Sequence, residues 1–480
     1  MNQMPFQPLP RRIRALASIF AAAAVIVYSS AHAATVGQPL TPVISVPSST
    51  ISNQSLGEPS VSADASGNFT AGWLPAGSRQ RFLLRRFDAA GNPLGDQFRI
   101  TDQGLETGET AGTPLFSIST NRRGDRVVAW ISPAGALNAS IVAQIFRADG
   151  TPRTGPVEVG RTPQRNEGPG IFQNARLQPP SVAINDDGDV MVAWKSDRNS
   201  TVFADPIWQG FLLIGLFRIE EQVLARGYSI DGVPYGDAQI VDRRVSALPS
   251  ATGGSGLRYI TDTVQVSPGP NGTFAVGYRI DRTALTQGQP SLLSPFRARI
   301  LGATARPQGP VLELGTLLDG QLLVAGPDFR ISSASNGDLM LAWAAENPAS
   351  RRGGGLDQTI YLGRYSTLGL PKGLPVRVAT RGAPATSLDT NLFIKPIPSG
   401  GNVVAWAGGP ESAVLPNNGP GVGRGFARYY AADESPLSPA FVISDTSSQI
   451  SIDTDAAGNL VTASSGSNFD GIFARVFAGP

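Results

Sequence analysis

Seven charged side chains stand just beyond a recurring aromatic residue, in positions where they could do chemistry: Lys195, Asp197, Arg279, Asp281, Glu346, Arg351 and Arg352. Lysine and arginine in such a group bind polar or anionic ligands. Two carboxylates held roughly 5–10 Å apart would supply the acid and base of glycoside hydrolysis. Composition removes most other chemistries. The 480 residues include no cysteine and one histidine, His32. Zinc sites of Cys or His, Ser-His-Asp and Cys-His nucleophile systems, and disulfides have nothing to be built from. Asn185-Asp186-Asp187-Gly188-Asp189 resembles part of a calcium loop, but calcium needs six to eight oxygens, and the corresponding turns elsewhere carry Ser, Arg or Pro. Turn geometry accounts for these residues, and neither metal nor cofactor is expected. An apolar insertion, with Trp208, Phe211 and Phe217, either extends a strand or plugs a channel; otherwise it docks a partner or lipid surface.

The N-terminus reads as a secretory signal. Arg11, Arg12 and Arg14 precede an apolar run from Ala15 to Tyr28, and Ala31-His32-Ala33 is a small-x-small cleavage site. Cleavage removes three of 39 basic residues and none of the 37 acidic ones, so a net charge of +2 turns slightly negative. A nucleic-acid partner is therefore not expected. No later stretch reaches the roughly 18 apolar residues of a membrane span.

The elements that must position these groups come from a sevenfold repeat. Turn glycines recur at Gly67, Gly124, Gly188, Gly272, Gly337, Gly400 and Gly458. Six residues after each stands Trp73, Trp130, Trp194, Tyr278, Trp343, Trp406 and, last, Ser464. Glycine supplies the left-handed residue of a hairpin turn. The strand that follows, as in Val127-Val128-Ala129-Trp130, is apolar on both faces, as a strand packed between two sheets must be. The tryptophans are expected in the core between sheets rather than stacked on sugars.

A second hairpin completes each unit. Its first strand carries Arg85, Arg226, Arg299, Arg364, Arg428 and Arg475, with Gln144 once in their place. These arginines are expected to cover the blade edge and pair with turn aspartates such as Asp88, rather than to form an anion-binding ring. A proline follows each turn, at Pro93, Pro152, Pro234, Pro307, Pro371 and Pro436; it has no N–H to donate and marks an edge strand.

The seventh unit breaks off at Gly479-Pro480, and its missing strand lies at residues 36–46, where Gly37 and Pro39 repeat the turn spacing. The expected fold is therefore all-β: a seven-bladed β-propeller of four-stranded antiparallel blades over 34–480, with 1–33 as leader. The N-terminal strand (34–48) completes the last blade (449–480) and closes the ring.

The pattern resembles bacterial secreted repeat proteins whose blades read roughly PxVAxDxxGNFVVAWxS and then IxARxFDxxGxPLG. Pro180-Ser181-Val182-Ala183 through Trp194-Lys195-Ser196 fits the first half. Phe473-Ala474-Arg475, and Arg86-Phe87-Asp88-Ala89-Ala90-Gly91-Asn92-Pro93-Leu94-Gly95, fit the second. The resemblance implies the fold and export, and no particular activity.

Both hairpin turns keep nearly constant length, so the spread in repeat length falls on one face. That face carries loops at 131–140, 195–222, 279–295, 344–358 and 407–425, and blade crossings at 101–112, 160–178 and 242–261. Ligand binding is expected there and the short-turn face is expected to be structural. Three readings stay open: a non-catalytic binding propeller in the periplasm, at the cell surface or outside the cell, a polysaccharide hydrolase or lyase using loop carboxylates and arginines, and a purely structural ring. The expected partner is a glycan, peptide or envelope protein, and the expected state a monomer.

Overall fold

The computed structural model describes residues 34–48, 57–75, 82–100, 116–133, 139–161, 174–177, 179–203, 215–249, 264–279, 296–314, 317–318, 321–322, 325–346, 356–383, 392–408, 424–445, 449–466 and 471–480. The leader, Asp281, Arg351, Arg352, Trp208 and Phe211 lie outside them.

Each turn glycine does what its position demands. The first-hairpin glycines have φ between 70° and 94°. The second-hairpin turns are left-handed in every unit as well, at Gly37, Gly91, Gly150, Gly232 and Gly369, and at the non-glycines Ala305 (61°) and Glu434 (68°). The prolines beyond these turns form single bridges to the third strand, for example Phe87 with Pro93 and Tyr430 with Pro436.

Seven antiparallel blades result, each built on a meander of four strands, and a separate two-stranded ribbon pairs Leu317–Leu318 with Gln321–Leu322. Their inner strands are Gly57–Ala63, Phe116–Thr120, Ser181–Ile184, Gln265–Pro268, Ala325–Ser333, Leu392–Pro396 and Ile450–Thr454, for blades 1 to 7. Each touches the inner strands of both neighbours, and the first touches the last, so the sheets close a ring. The outer strand of blade 7 is Ile44–Ser45, paired with Ile472–Phe477. Gly37 N–H donates to the Ala478 carbonyl and Val46 N–H to that of Ile472, at 2.8 and 2.9 Å. The protein is a seven-bladed β-propeller closed by its own N-terminal strand.

Packing follows from the apolar second strand. Among the described residues, the buried apolar side chains fall into seven clusters, one at each blade interface. Val127 and Ala129 face blade 3, whereas Val128 and Trp130 face blade 1. All five repeat tryptophans are buried, each against the preceding blade. Gly160 in blade 2 makes room for Trp194: a Cβ there would lie 2.6 Å from Trp194 Cζ2.

Arg85, Arg226 and Arg299 correct an expectation, whereas Arg364 meets it by donating from Nε and Nη2 to the turn aspartate Asp338 of its own blade (2.9 and 2.6 Å). Arg226 donates from Nε to the Gly236 carbonyl of its own turn (2.9 Å) and from Nη1 to the Val159 carbonyl in the preceding blade (3.3 Å). Arg85 and Arg299 do the same to Gly95 and Val46, and to Gly309 and Val241. Their partners are main-chain carbonyls, because a guanidinium with donors on two edges can close one blade and staple the next. Asp88 instead accepts from Ala90 N–H and Asn92 N–H and shapes its own turn.

The third unit corrects another. Residues 195–203, 215–222 and 242–249, expected as loops, continue the strands Val190–Phe203, Gly215–Tyr228 and Gln239–Pro249, and Asn174–Leu177 adds a fifth strand. Phe217 thus lies in a strand, opposite Thr201 and Leu248.

Candidate functional site

An inner strand is an edge strand, with one row of N–H groups unpaired within its own sheet. The propeller satisfies them from the side. Val182 N–H donates to Ser117 Oγ (3.2 Å) and Ile184 N–H to Ser119 Oγ (3.3 Å), from blade 3 to blade 2. Val266 N–H uses Ser181, Ser333 N–H uses Ser267, and Val61 N–H uses Ser451, at 3.0, 3.0 and 3.1 Å. In each case a blade donates to the blade before it. The alternate inner-strand residues, such as Val61, Ile118 and Ile452, turn into the interface cores.

Down the axis runs a channel of about 630 Å³ lined by these seven strands and by the turns at their ends. The serines occupy two registers. One faces the residue before the repeat aromatic and reads Ser60, Ser117, Ser181, Gln265, Arg330, Phe393 and Ser451 around the ring. The next, two residues on, reads Ser62, Ser119, Ala183, Ser267, Ser332, Lys395 and Asp453. The ladder is complete only in blades 1 and 2. Blades 3, 4, 5 and 7 each replace one serine, by Ala183, Gln265, Arg330 and Asp453, and blade 6 replaces both, by Phe393 and Lys395.

Arg330 is only 7% exposed. Its guanidinium lies over the Phe393 ring, 5.2 Å from the centroid, and Nη1 donates to the Phe329 carbonyl at 2.8 Å. Lys395 Nζ stands 3.1 Å from Asp453 Oδ1. The other oxygen of Asp453 accepts from Ser62 Oγ (2.9 Å) and Ala63 N–H (3.0 Å). Arg330, Lys395 and Asp453 thus put both signs of charge on the channel lining.

The turn end of the channel carries mostly carboxylates. Asp64, Asp186, Asp187 and Asp455 line it beside Arg122. Asp64 and Asp455 each cap their own turn, accepting two main-chain N–H groups. Asp186 takes the N–H of Arg122 at 3.0 Å and its guanidinium at 3.4 Å. The turn expected to be structural is thus also a channel mouth. In the calcium-like segment, Asn185 accepts from Asp189 N–H (2.8 Å) and Asp189 from the Tyr235 hydroxyl (2.5 Å). No grouping of three or more acidic residues suited to a metal is found among the described residues.

The residues singled out from sequence do not meet at one place among the described residues. Lys195 is 3% exposed and paired with Glu221 at 2.9 Å. Arg279 is 1% exposed, its guanidinium 5.8 Å from the Phe296 centroid. Asp197 sits in a strand opposite Glu221 and Arg176, and Glu346 ends a strand opposite Gln358. Neither Lys195 nor Arg279 lines the channel. Arg330, Phe393 and Lys395 were missed, though they interrupt the inner-strand serine pattern.

Comparison with known proteins assigns neither a family nor an activity. No family model matches the chain, and no curated protein does. Among solved structures it is similar to an α-L-arabinofuranosidase from Fusarium graminearum (9% identity, TM-score 0.42, covering 93% of this chain and 98% of that one). It is similar also to a sialidase from Streptococcus pneumoniae (7%, 0.41, 91% and 94%). A third is a hydrazine synthase from Kuenenia stuttgartiensis (8%, 0.42, 92% and 97%). Sugar hydrolysis and hydrazine chemistry appear together in this set, and at these identities neither activity passes to this chain.

Proposed function

We propose that the protein is an exported, non-catalytic binding propeller that takes a polar ligand into its axial channel. The observation that carries this reading is the channel itself: about 630 Å³ left open along the axis, with hydroxyl, amide and charged groups set among a lining that is otherwise apolar. A rigid ring with an open bore is a ready-made concave site. The leader-like N-terminus supports export to the periplasm, the cell surface or the medium. A monomer fits a ring whose last blade is completed from within. A glycan, peptide or envelope protein remains the proposed class of partner.

The hydrolase reading needs a carboxylate pair free to serve a substrate. Of the five aspartates in the described part of the channel, Asp64 and Asp455 hold turns and Asp186 and Asp453 hold ion pairs, which leaves Asp187 without a second carboxylate to work with. Thermal melting of residues 34–480 against oligosaccharides, peptides and nucleotides tests the proposal, with product analysis alongside. A shift that is lost when Ser117→Tyr fills the bore, with no product, is expected. Product formation would hand the site to the hydrolase reading, and a flat panel to the structural ring.

A further inference from the structure

Blade 4 makes its first turn differently from the other six. In those, the glycine N–H donates to the carbonyl three residues earlier, at 2.9–3.2 Å, as Gly188 does to Asn185 and Gly337 to Ala334. In blade 4 the turn is closed one residue further on, from Thr273 N–H to the Pro270 carbonyl at 3.2 Å, and Gly272 N–H has no partner among the described residues. Asn271 (φ 55°) and Gly272 (φ 70°) are both left-handed, the two-residue loop that an Asn-Gly pair favours. The Asn271 side chain is exposed, and it too holds no hydrogen-bond partner among the described residues.

An asparagine and the glycine after it can react with each other when both are untethered. The Gly272 nitrogen bonds to Asn271 Cγ and gives up its proton. The Cγ–Nδ2 bond breaks, and Nδ2 leaves as ammonia carrying that proton. The cyclic imide that results takes up water at either carbonyl. Opening at Cγ leaves aspartate; opening at the main-chain carbonyl leaves isoaspartate, with the chain routed through Cβ and one carbon longer. Either way one water enters, one ammonia leaves, and Gly272 N–H is restored. Glycine carries no side chain to hinder the attack.

Asn336-Gly337, in the same turn of blade 5, has the same two residues in the opposite arrangement. Gly337 N–H is bonded to the Ala334 carbonyl at 2.9 Å. Asn336 Nδ2 donates to Asp338 Oδ2 and Asn336 Oδ1 accepts from Asp338 N–H, both at 3.0 Å. Asp338 is itself held by Arg364 and Lys372. The chain's third Asn-Gly pair, Asn418-Gly419, lies outside the described residues. We infer that Asn271-Gly272 is a self-modification site, where the folded protein slowly converts an amide into a carboxylate, and that the fold protects Asn336-Gly337 from the same reaction. The product adds negative charge to the turn end of the channel, where Asn271 stands with Asp64, Asp186, Asp187 and Asp455. An added carbon in so tight a loop also shifts the strand Gln265–Pro268, whose Val266 and Ser267 bond to the blades on either side.

Peptide mapping by mass spectrometry tests this on residues 34–480 incubated at mildly alkaline pH, with isoaspartate scored in the same peptides. Protein held unfolded in guanidinium chloride is mapped alongside as the reference. Folding is expected to slow conversion of Asn336 roughly 10- to 100-fold, since three hydrogen bonds must open before it reacts, and to slow Asn271 far less. The peptide containing Asn271 is expected to gain the mass difference between an amide and a carboxylic acid. Asn271→Gly keeps the left-handed turn and is expected to abolish that gain. Equal slowing of the two sites overturns the inference, and so does an Asn271 that stays intact in the folded protein. A mass gain that persists in Asn271→Gly overturns the assignment to this residue.

Discussion

Arg299 of blade 4 reaches back across the interface and donates from Nη1 to the carbonyl of Val241 in blade 3, at 2.6 Å. Its Nε holds the Gly309 carbonyl at 3.2 Å, so one side chain fastens its own second hairpin and the neighbouring blade. Arg226 makes the same pair of bonds at the interface before it. Replacing Arg226 by Met leaves two carbonyls without their donor, and a loss of about 2–3 kcal/mol is expected. Arg226→Lys is expected to recover little, since an ammonium cannot span both acceptors. Urea denaturation of the two variants checks this. A lysine variant as stable as the parent would show that charge alone matters there.

Trp194 and Gly160 form a matched pair across blades 2 and 3. Trp194→Ala is expected to cost about 3–5 kcal/mol. Gly160→Ala pushes a methyl into the indole and is also expected to destabilise, by roughly 1–3 kcal/mol. The two costs are not independent, because the space Gly160→Ala invades is the space Trp194→Leu vacates. A double-mutant cycle with Trp194→Leu should show Gly160→Ala costing less in that background. Strict additivity would contradict the contact.

Glu434 occupies a left-handed turn position, φ 68°, that is glycine in most other blades. Burial pushes its carboxyl up to about 7; Arg364 pulls it down and Asp433 pushes it up, both more weakly. In the unfolded chain the group titrates near 4.5. The folded protein thus binds the extra proton between about pH 4.5 and 7, so stability falls as pH rises through that window and stays lower above it. Glu434→Gln should flatten this part of the pH profile. Glu434→Gly should do the same and add about 1 kcal/mol by relieving the backbone. Melting temperatures of the three proteins from pH 5 to 8 test the sign. A parent that gains stability toward pH 8 relative to Glu434→Gln would refute it.

The closing strand is held at several points. Val476 N–H donates to Thr41 Oγ1 (3.0 Å), Arg475 Nε to the Thr41 carbonyl (3.3 Å), and Val46 is fully buried between blades 7 and 1. Deleting 34–48 exposes the edge of Ile472–Phe477 and part of that core. The truncated protein is expected to melt at lower temperature and to aggregate, and a synthetic 34–48 peptide added in trans should raise its melting point. An unchanged melting curve on truncation would count against closure by this strand.

The ring was legible because its devices repeat. A glycine that must be left-handed and an aromatic six residues later leave the same mark seven times, and the mismatch between Gly479-Pro480 and Gly37–Pro39 shows how the ends meet. The site was less legible. Ser117 and Ser181 look like ordinary polar residues on a half-exposed strand, since the N–H groups they serve belong to another blade. Arg226 looks like a partner for acids because a carbonyl acceptor has no identity in sequence. Lys195 drew attention as a charge beyond the aromatic, yet its partner Glu221 lies across a hairpin whose length only the fold reveals.

Gly37 N–H meets the Ala478 carbonyl and Ala478 N–H meets that of Gln38, both at 2.8 Å. The two ends of the propeller are thus strand neighbours, and the polypeptide is in effect a circle opened inside blade 7. No interface depends on which blade is translated first. A circular permutant, with a short linker joining the present ends and new ones placed between other blades, would rebuild the same seven packed faces and the same bore.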